Sequence, residues 1–188
     1  MNPIAFVLAV LVFFAFELGF QDVLQLGPRP IAPSFVLMLA VFIAMWAKPV
    51  PALWAGLILG ALIDLTWTIP RTDGGVATIL GPHAMGYMLM TWLVLNIRGM
   101  VIKRNPLTMA FLTLIGGIVA QIVVVAMLTI RSLYGDPIPW DATAELLNRV
   151  LSAGYSALVA VPISLPLFAL ARLFGFHHAH VRRPGQRR

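Results

Sequence analysis

Two acidic residues stand inside apolar runs of this chain, and they are the first candidates for chemistry. Asp64 lies near the far end of PALWAGLILGALIDLTWTI, from Pro51 to Ile69, and Glu17 lies in FFAFELGF. An ionised carboxylate in hydrocarbon costs several kcal/mol or more, so each must face a partner, a watery cavity or the interface. Two carboxylates from different spans at similar depth are the minimum for a proton relay. The alternatives are a buried contact to another helix or partner, or a place at the outer interface. Asp64 is five residues from Ile69, which puts it roughly 7–8 Å inside the segment end. If Asp64 supports helix packing or a partner contact, an amide in its place is expected to retain much of the function.

Polar side chains recur at helical spacing. His83, Tyr87 and Thr91 share one face of their segment. Thr113, Gly117 and Gln121 share another, with Gly116 and Ala120 beside them, and Ser152, Ser156 and Ser164 mark a third. Such residues hydrogen bond between helices in lipid, and a substrate cavity would use the same types. Ala52, Gly56 and Gly60 step by four below Asp64, and a stripe of small residues lets another helix approach closely.

Enzyme readings fail on inventory. Gly154-Tyr155-Ser156 has the form of an intramembrane serine nucleophile, but a base must lie in reach. His83 is two spans earlier, with no orienting carboxylate evident beside it in the sequence. An aspartyl pair needs two deep aspartates, and Asp64 is alone. There is no cysteine, so disulfides, thiolate metal sites and a Cys nucleophile are excluded. His177, His178 and His180 read as a surface tract. No phosphate-binding glycine loop occurs. No catalytic residue, metal or cofactor is expected.

The elements that carry these residues follow from hydropathy. The chain has 188 residues, 60% of them hydrophobic and 11% charged, with mean hydropathy +0.92. A soluble domain carries about 25% charged residues. This is the composition of a polytopic membrane protein with a single membrane domain. The N-terminus lacks a basic region and a cleavage pattern, so an uncleaved first span is expected. Six stretches are long enough to cross a bilayer: Ile4–Phe20, Ile31–Ala47, Pro51–Ile69, Val76–Ile97, Pro106–Ile130 and about Leu151–Phe174. The second and third form a tight antiparallel hairpin. Gly135–Pro137 reads as a turn. After it, Asp141 caps an interfacial helix that runs into the sixth span. An all-α, six-span domain over residues 1–175 is expected, followed by a disordered basic tail over 176–188.

The net charge of +6 suggests nucleic acid until its placement is read. One side collects Lys48, Arg98, Lys103, Arg104, Arg172, Arg182, Arg183, Arg187 and Arg188. The other collects only Arg29, Arg71, Arg131 and Arg149. The excess marks the cytoplasmic side, so both termini are expected there, with no nucleic-acid partner. The tail is expected to touch anionic lipid headgroups. Trp46 and Trp54 flank the cytoplasmic end, and Trp67 and Trp140 the opposite one.

The segment GLILGALIDLTWTIPRTDGGVATILGPHAMGYML, Gly56 to Leu89, resembles the MreD family of bacterial rod shape-determining membrane proteins. Gly60, Asp64, Gly74 or Gly75, and Tyr87 fill the places of that family's motif. The resemblance implies a non-enzymatic scaffold in the inner membrane. Its implied partners are an MreC-type membrane protein, the actin-like MreB, and the elongation glycosyltransferase and transpeptidase that make peptidoglycan. Gly56, Gly60, Asp64 and Tyr87 would then serve partner contact or helix packing. The implied fold is similar to the substrate-binding subunits of energy-coupling-factor transporters. A substrate-binding subunit of a vitamin-type transporter is therefore the alternative, since fold does not decide function.

Overall fold

Prolines and short polar caps write the helix starts of this chain. Asn2 caps α1 through Ile4 N, and Pro3 opens it. Ser34 caps α2 through Leu37 N at 3.2 Å. Asn105 and Pro106 do the same for α5, and Asp141 caps α6 through Thr143 N and Ala144 N. Each side-chain oxygen satisfies a backbone N–H that has no partner within its own helix. Proline at the first position loses no hydrogen bond there.

The computed structural model describes residues 2–27, 31–70, 75–102, 104–134, 140–171 and 174–175. It contains α1 (Pro3–Phe20), α2 (Phe35–Trp46), α3 (Pro49–Thr66), β1 (Thr68–Pro70), β2 (Val76–Thr78), α4 (Pro82–Ile97), α5 (Pro106–Ser132) and α6 (Ala142–Leu170). Four of the helices, α1, α3, α5 and α6, are long and apolar enough to cross a membrane. The expected turn at Gly135–Pro137 and the basic tail over 176–188 lie outside the described residues, as does Gly74.

Two helices are shorter than hydropathy suggests. α4 begins at Pro82 rather than Val76, because Val76–Thr78 pairs antiparallel with Thr68–Pro70 in a small hairpin, with Ile69 opposite Ala77. α2 begins at Phe35 rather than Ile31. Proline holds the residue before it extended, and Pro33 and the Ser34 cap together delay the helix. At 12 residues α2 is about 18 Å long, and α4 at 16 residues is about 24 Å. By contrast, the interfacial helix and last span expected after Asp141 form one continuous helix, α6.

α2 is the centre of the bundle. Phe35 to Met45 are buried without a break, and α2 packs on each of the other five helices. A helix enclosed on all sides carries no amphipathic stripe. Its ends are held by charge. Glu17 of α1 accepts from Phe35 N at 2.6 Å and Val36 N at 3.1 Å. Arg98, just past α4, donates to the carbonyls of Ala44 and Ala47. An anion at the N-terminus and a cation at the C-terminus both match the helix dipole. α1 lies at the edge. Phe13 is its one buried residue, while Ile4, Leu8, Leu11 and Leu18 are exposed.

Candidate functional site

Small residues bring α3 onto α4. A Cβ added at Gly60 would lie 2.6 Å from Ala84 Cα and closer still to the His83 carbonyl oxygen. One added at Gly56 would lie 3.0 Å from the Tyr87 carbonyl oxygen and strike Thr91. Any side chain at these positions would push the helices apart. Ala52 is buried on the same face, so the stripe read from the sequence is the α3–α4 contact.

This contact delivers Asp64 to the start of α4. The cap position is Gly81, with φ 128°, a conformation other residues rarely adopt, and with no side chain to cap its helix. Pro82 has no N–H to satisfy. Asp64 takes the rest. Its Oδ2 accepts from Gly81 N at 2.8 Å and Ala84 N at 3.1 Å, and its Oδ1 from His83 N at 3.0 Å. Asp64 is thus the N-cap of a helix to which it does not belong. Burial leaves its residue 1% exposed, and the helix terminus offsets the cost of enclosing a charge there.

His83 continues the chain of bonds. Its Nδ1 lies 2.8 Å from Asp64 Oδ1, and its Nε2 lies 3.2 Å from Arg149 Nη1. Arg149 can only donate, so the Nδ1–H tautomer fits both contacts. The same Nη1 reaches Gln121 Oε1 at 3.0 Å, and Arg149 Nε reaches Glu145 Oε1 at 2.9 Å. The guanidinium rests on the Trp67 ring, 4.4 Å from its centroid, a cation–π contact. One layer away, Tyr87 is buried, with its hydroxyl 3.4 Å from Ser34 Oγ, and Ser34 N donates to Ser156 Oγ at 2.8 Å.

These groups border a cavity of about 350 Å³, with Glu17 and Gln21 on the α1 side and Asn148, Arg149 and Ser152 on α6. Glu17 and Asp64 reach the same end of the bundle. They cap different helices, α2 and α4, and do not form the bonded pair of a proton relay. His83, Tyr87, Gln121 and Ser152 come from the three polar stripes and meet around this cavity. Thr113 and Ser164 stay within their own helices, bonding Met109 O and Val161 O.

The carboxylate that the sequence hides from His83 is Asp64, 19 residues earlier. This completes only two members of a triad. Ser156 Oγ donates to Ser152 O at 2.7 Å, and among the described residues no hydroxyl hydrogen bonds His83 Nε2.

Arg149 is the site residue that sequence reasoning missed, since it counts there as a loop charge. Its signal was available: Glu145 stands four residues before it, in a helix capped by Asp141, and that is ion-pair spacing. Trp67, read as an interfacial anchor, is its platform. No family model matches this chain, and no curated protein or solved structure matches it.

Proposed function

We propose that this chain is a non-catalytic scaffold of the MreD type, set in the bacterial inner membrane and serving the cell-elongation machinery. It crosses the membrane six times, with α2 as a short, enclosed crossing, α4 as a second short one and both termini in the cytoplasm. It holds an MreC-type partner and, through it, the actin-like MreB and the peptidoglycan glycosyltransferase and transpeptidase. The observation that carries this reading is the use made of Asp64. Both of its oxygens are committed to locking α4 against α3. A group fully engaged in holding two helices together has a building role rather than a turnover role. The exposed apolar side chains of α1 offer a surface to another membrane helix.

One observation favours the second reading, a substrate-binding subunit of a vitamin-type transporter with the fold of energy-coupling-factor subunits. The cavity, at about 350 Å³, is of a size that holds small molecules. Affinity purification from native membrane separates the two. Recovery of MreC-type and MreB-type proteins supports the scaffold. Recovery of a pair of ATPases in their place overturns it.

A further inference from the structure

The cavity beside Glu17 and Arg149 has hydrogen-bonding capacity that the protein leaves unused. Both backbone bonds of Glu17 end on Oε2, and Oε1 takes neither. Among the described residues no cationic side chain pairs with Glu17; Arg149 is paired with Glu145, and Asp64 is bonded to the neutral His83 ring. Arg149 bonds through Nε and Nη1, and Nη2 takes none of those bonds. The guanidinium is nonetheless fixed in place by Glu145, Gln121 and the Trp67 ring. Gln21 and Asn148 face the same space, and their amides can both donate and accept.

The charges around this space define what fits it. Glu145 neutralises Arg149, and Asp64 is spent on α4. Glu17 is offset by the N-terminus of α2 and the Ser34 hydroxyl, with no cation beside it. A half-buried carboxylate without a cation is costly, and an incoming ammonium would complete it. Arg149 Nη2 presents a fixed donor edge, which suits an anionic oxygen. We propose that this cavity binds a small zwitterion, with its ammonium on Glu17 and its anionic oxygen at Arg149. The inference goes beyond the scaffold reading and does not depend on it, because a bound zwitterion can be a resident ligand or a cargo. Two sources share this chemistry: a free amino acid and the headgroup of phosphatidylethanolamine. The cavity lies where α1 ends and α4 and α6 begin, so it is open to both.

The test uses the full chain in phosphatidylcholine nanodiscs. L-alanine and glycerophosphoethanolamine are titrated by calorimetry, and phosphatidylethanolamine retention is read by native mass spectrometry. Propionate and glycerol phosphate serve as amine-free analogues. Asn148→Phe fills the cavity without removing a hydrogen bond seen here, and Glu17→Gln removes the charge. At least one amine-bearing probe should bind saturably. Its amine-free analogue and both variants should bind at least about tenfold more weakly, as loss of a charge-assisted bond requires. Retention of phosphatidylethanolamine alone identifies a lipid ligand, and binding of a soluble probe identifies a free one. The proposal fails if none of the three probes binds, if Asn148→Phe binds as well as the parent, or if the amine-free analogues bind equally. The analogue comparison is made on the parent protein and stands whether or not a variant folds.

Discussion

Asp64 Oδ1 meets His83 twice, at its backbone N–H at 3.0 Å and at its imidazole Nδ1 at 2.8 Å. The other oxygen, Oδ2, takes Gly81 N and Ala84 N. An amide cannot copy this, because its NH₂ would face N–H donors on one side or the other. Asp64→Asn should therefore destabilise the protein by roughly 2–4 kcal/mol, from lost bonds to a charged acceptor and a lost cap. This reverses the expectation from sequence that an amide would serve. Thermal unfolding in detergent measures it, and an unchanged melting temperature for Asp64→Asn would refute the capping role.

Glu17 predicts the opposite response to the same chemistry. Both of its backbone bonds end on one oxygen, so a glutamine oxygen can keep both. Glu17→Gln should cost only the charge on the α2 dipole, about 0.3–1 kcal/mol. Glu17→Ala should cost about 2 kcal/mol or more by leaving two N–H groups without a partner. Equal losses for Gln and Ala would show that charge, not bonding, holds the start of α2.

Gly60 and Gly154 make a matched pair. A Cβ at Gly60 meets the backbone of α4, whereas one at Gly154 has nothing within 4 Å. Gly60→Ala should destabilise by about 1–3 kcal/mol, as overpacking does. Gly154→Ala should be neutral or slightly stabilising, since alanine is the better helix former. Yield and melting temperature of the two variants decide the matter, and similar behaviour would mean that α3 and α4 do not touch this closely.

Arg149 and Glu145 are coupled through a 2.9 Å bond, with side chains 11% and 27% exposed. Removal of Arg149 also strips the partner from Gln121 and the cation from Trp67. Arg149→Met should thus cost more than Glu145→Gln. A double-mutant cycle between them should return a coupling of about 1 kcal/mol. A coupling of zero would make the pair a surface contact with no role in holding the site.

Topology is tested by reporter fusions. Those after Arg104 and Arg188 should report the cytoplasm, and those within 135–141 the periplasm, as the basic residues of the chain predict. An external signal after Arg188 would break the six-span reading with both termini in the cytoplasm.

Long-range partners account for most of what the sequence did not disclose. Apolar runs and proline caps made α1, α3 and α5 legible, since length and local chemistry define them. The small-residue stripe under Asp64 was visible as one face, because spacing of four is a property of one helix, and in the structure Gly56 and Gly60 of that face lie against α4. The destination of the carboxylates was hidden. Glu17 and Asp64 satisfy backbone groups of other helices, and a backbone N–H leaves no letter in the sequence. The short hairpin after Trp67 was hidden for a similar reason: Val76–Thr78 is as apolar as a helix start, and only pairing with Thr68–Pro70 makes it a strand.

The doubly capped α2 also bears on biogenesis. Glu17 is synthesised before this helix, but Arg98 follows Ala47 by 51 residues. When α2 leaves the ribosome its first turn already has its anion, while its last carbonyls still lack their cation. They obtain it only once α4 is in place. The central element of the fold is therefore completed well after its own synthesis, and a chain truncated ahead of Arg98 should hold α2 in an unfinished state open to quality-control proteases.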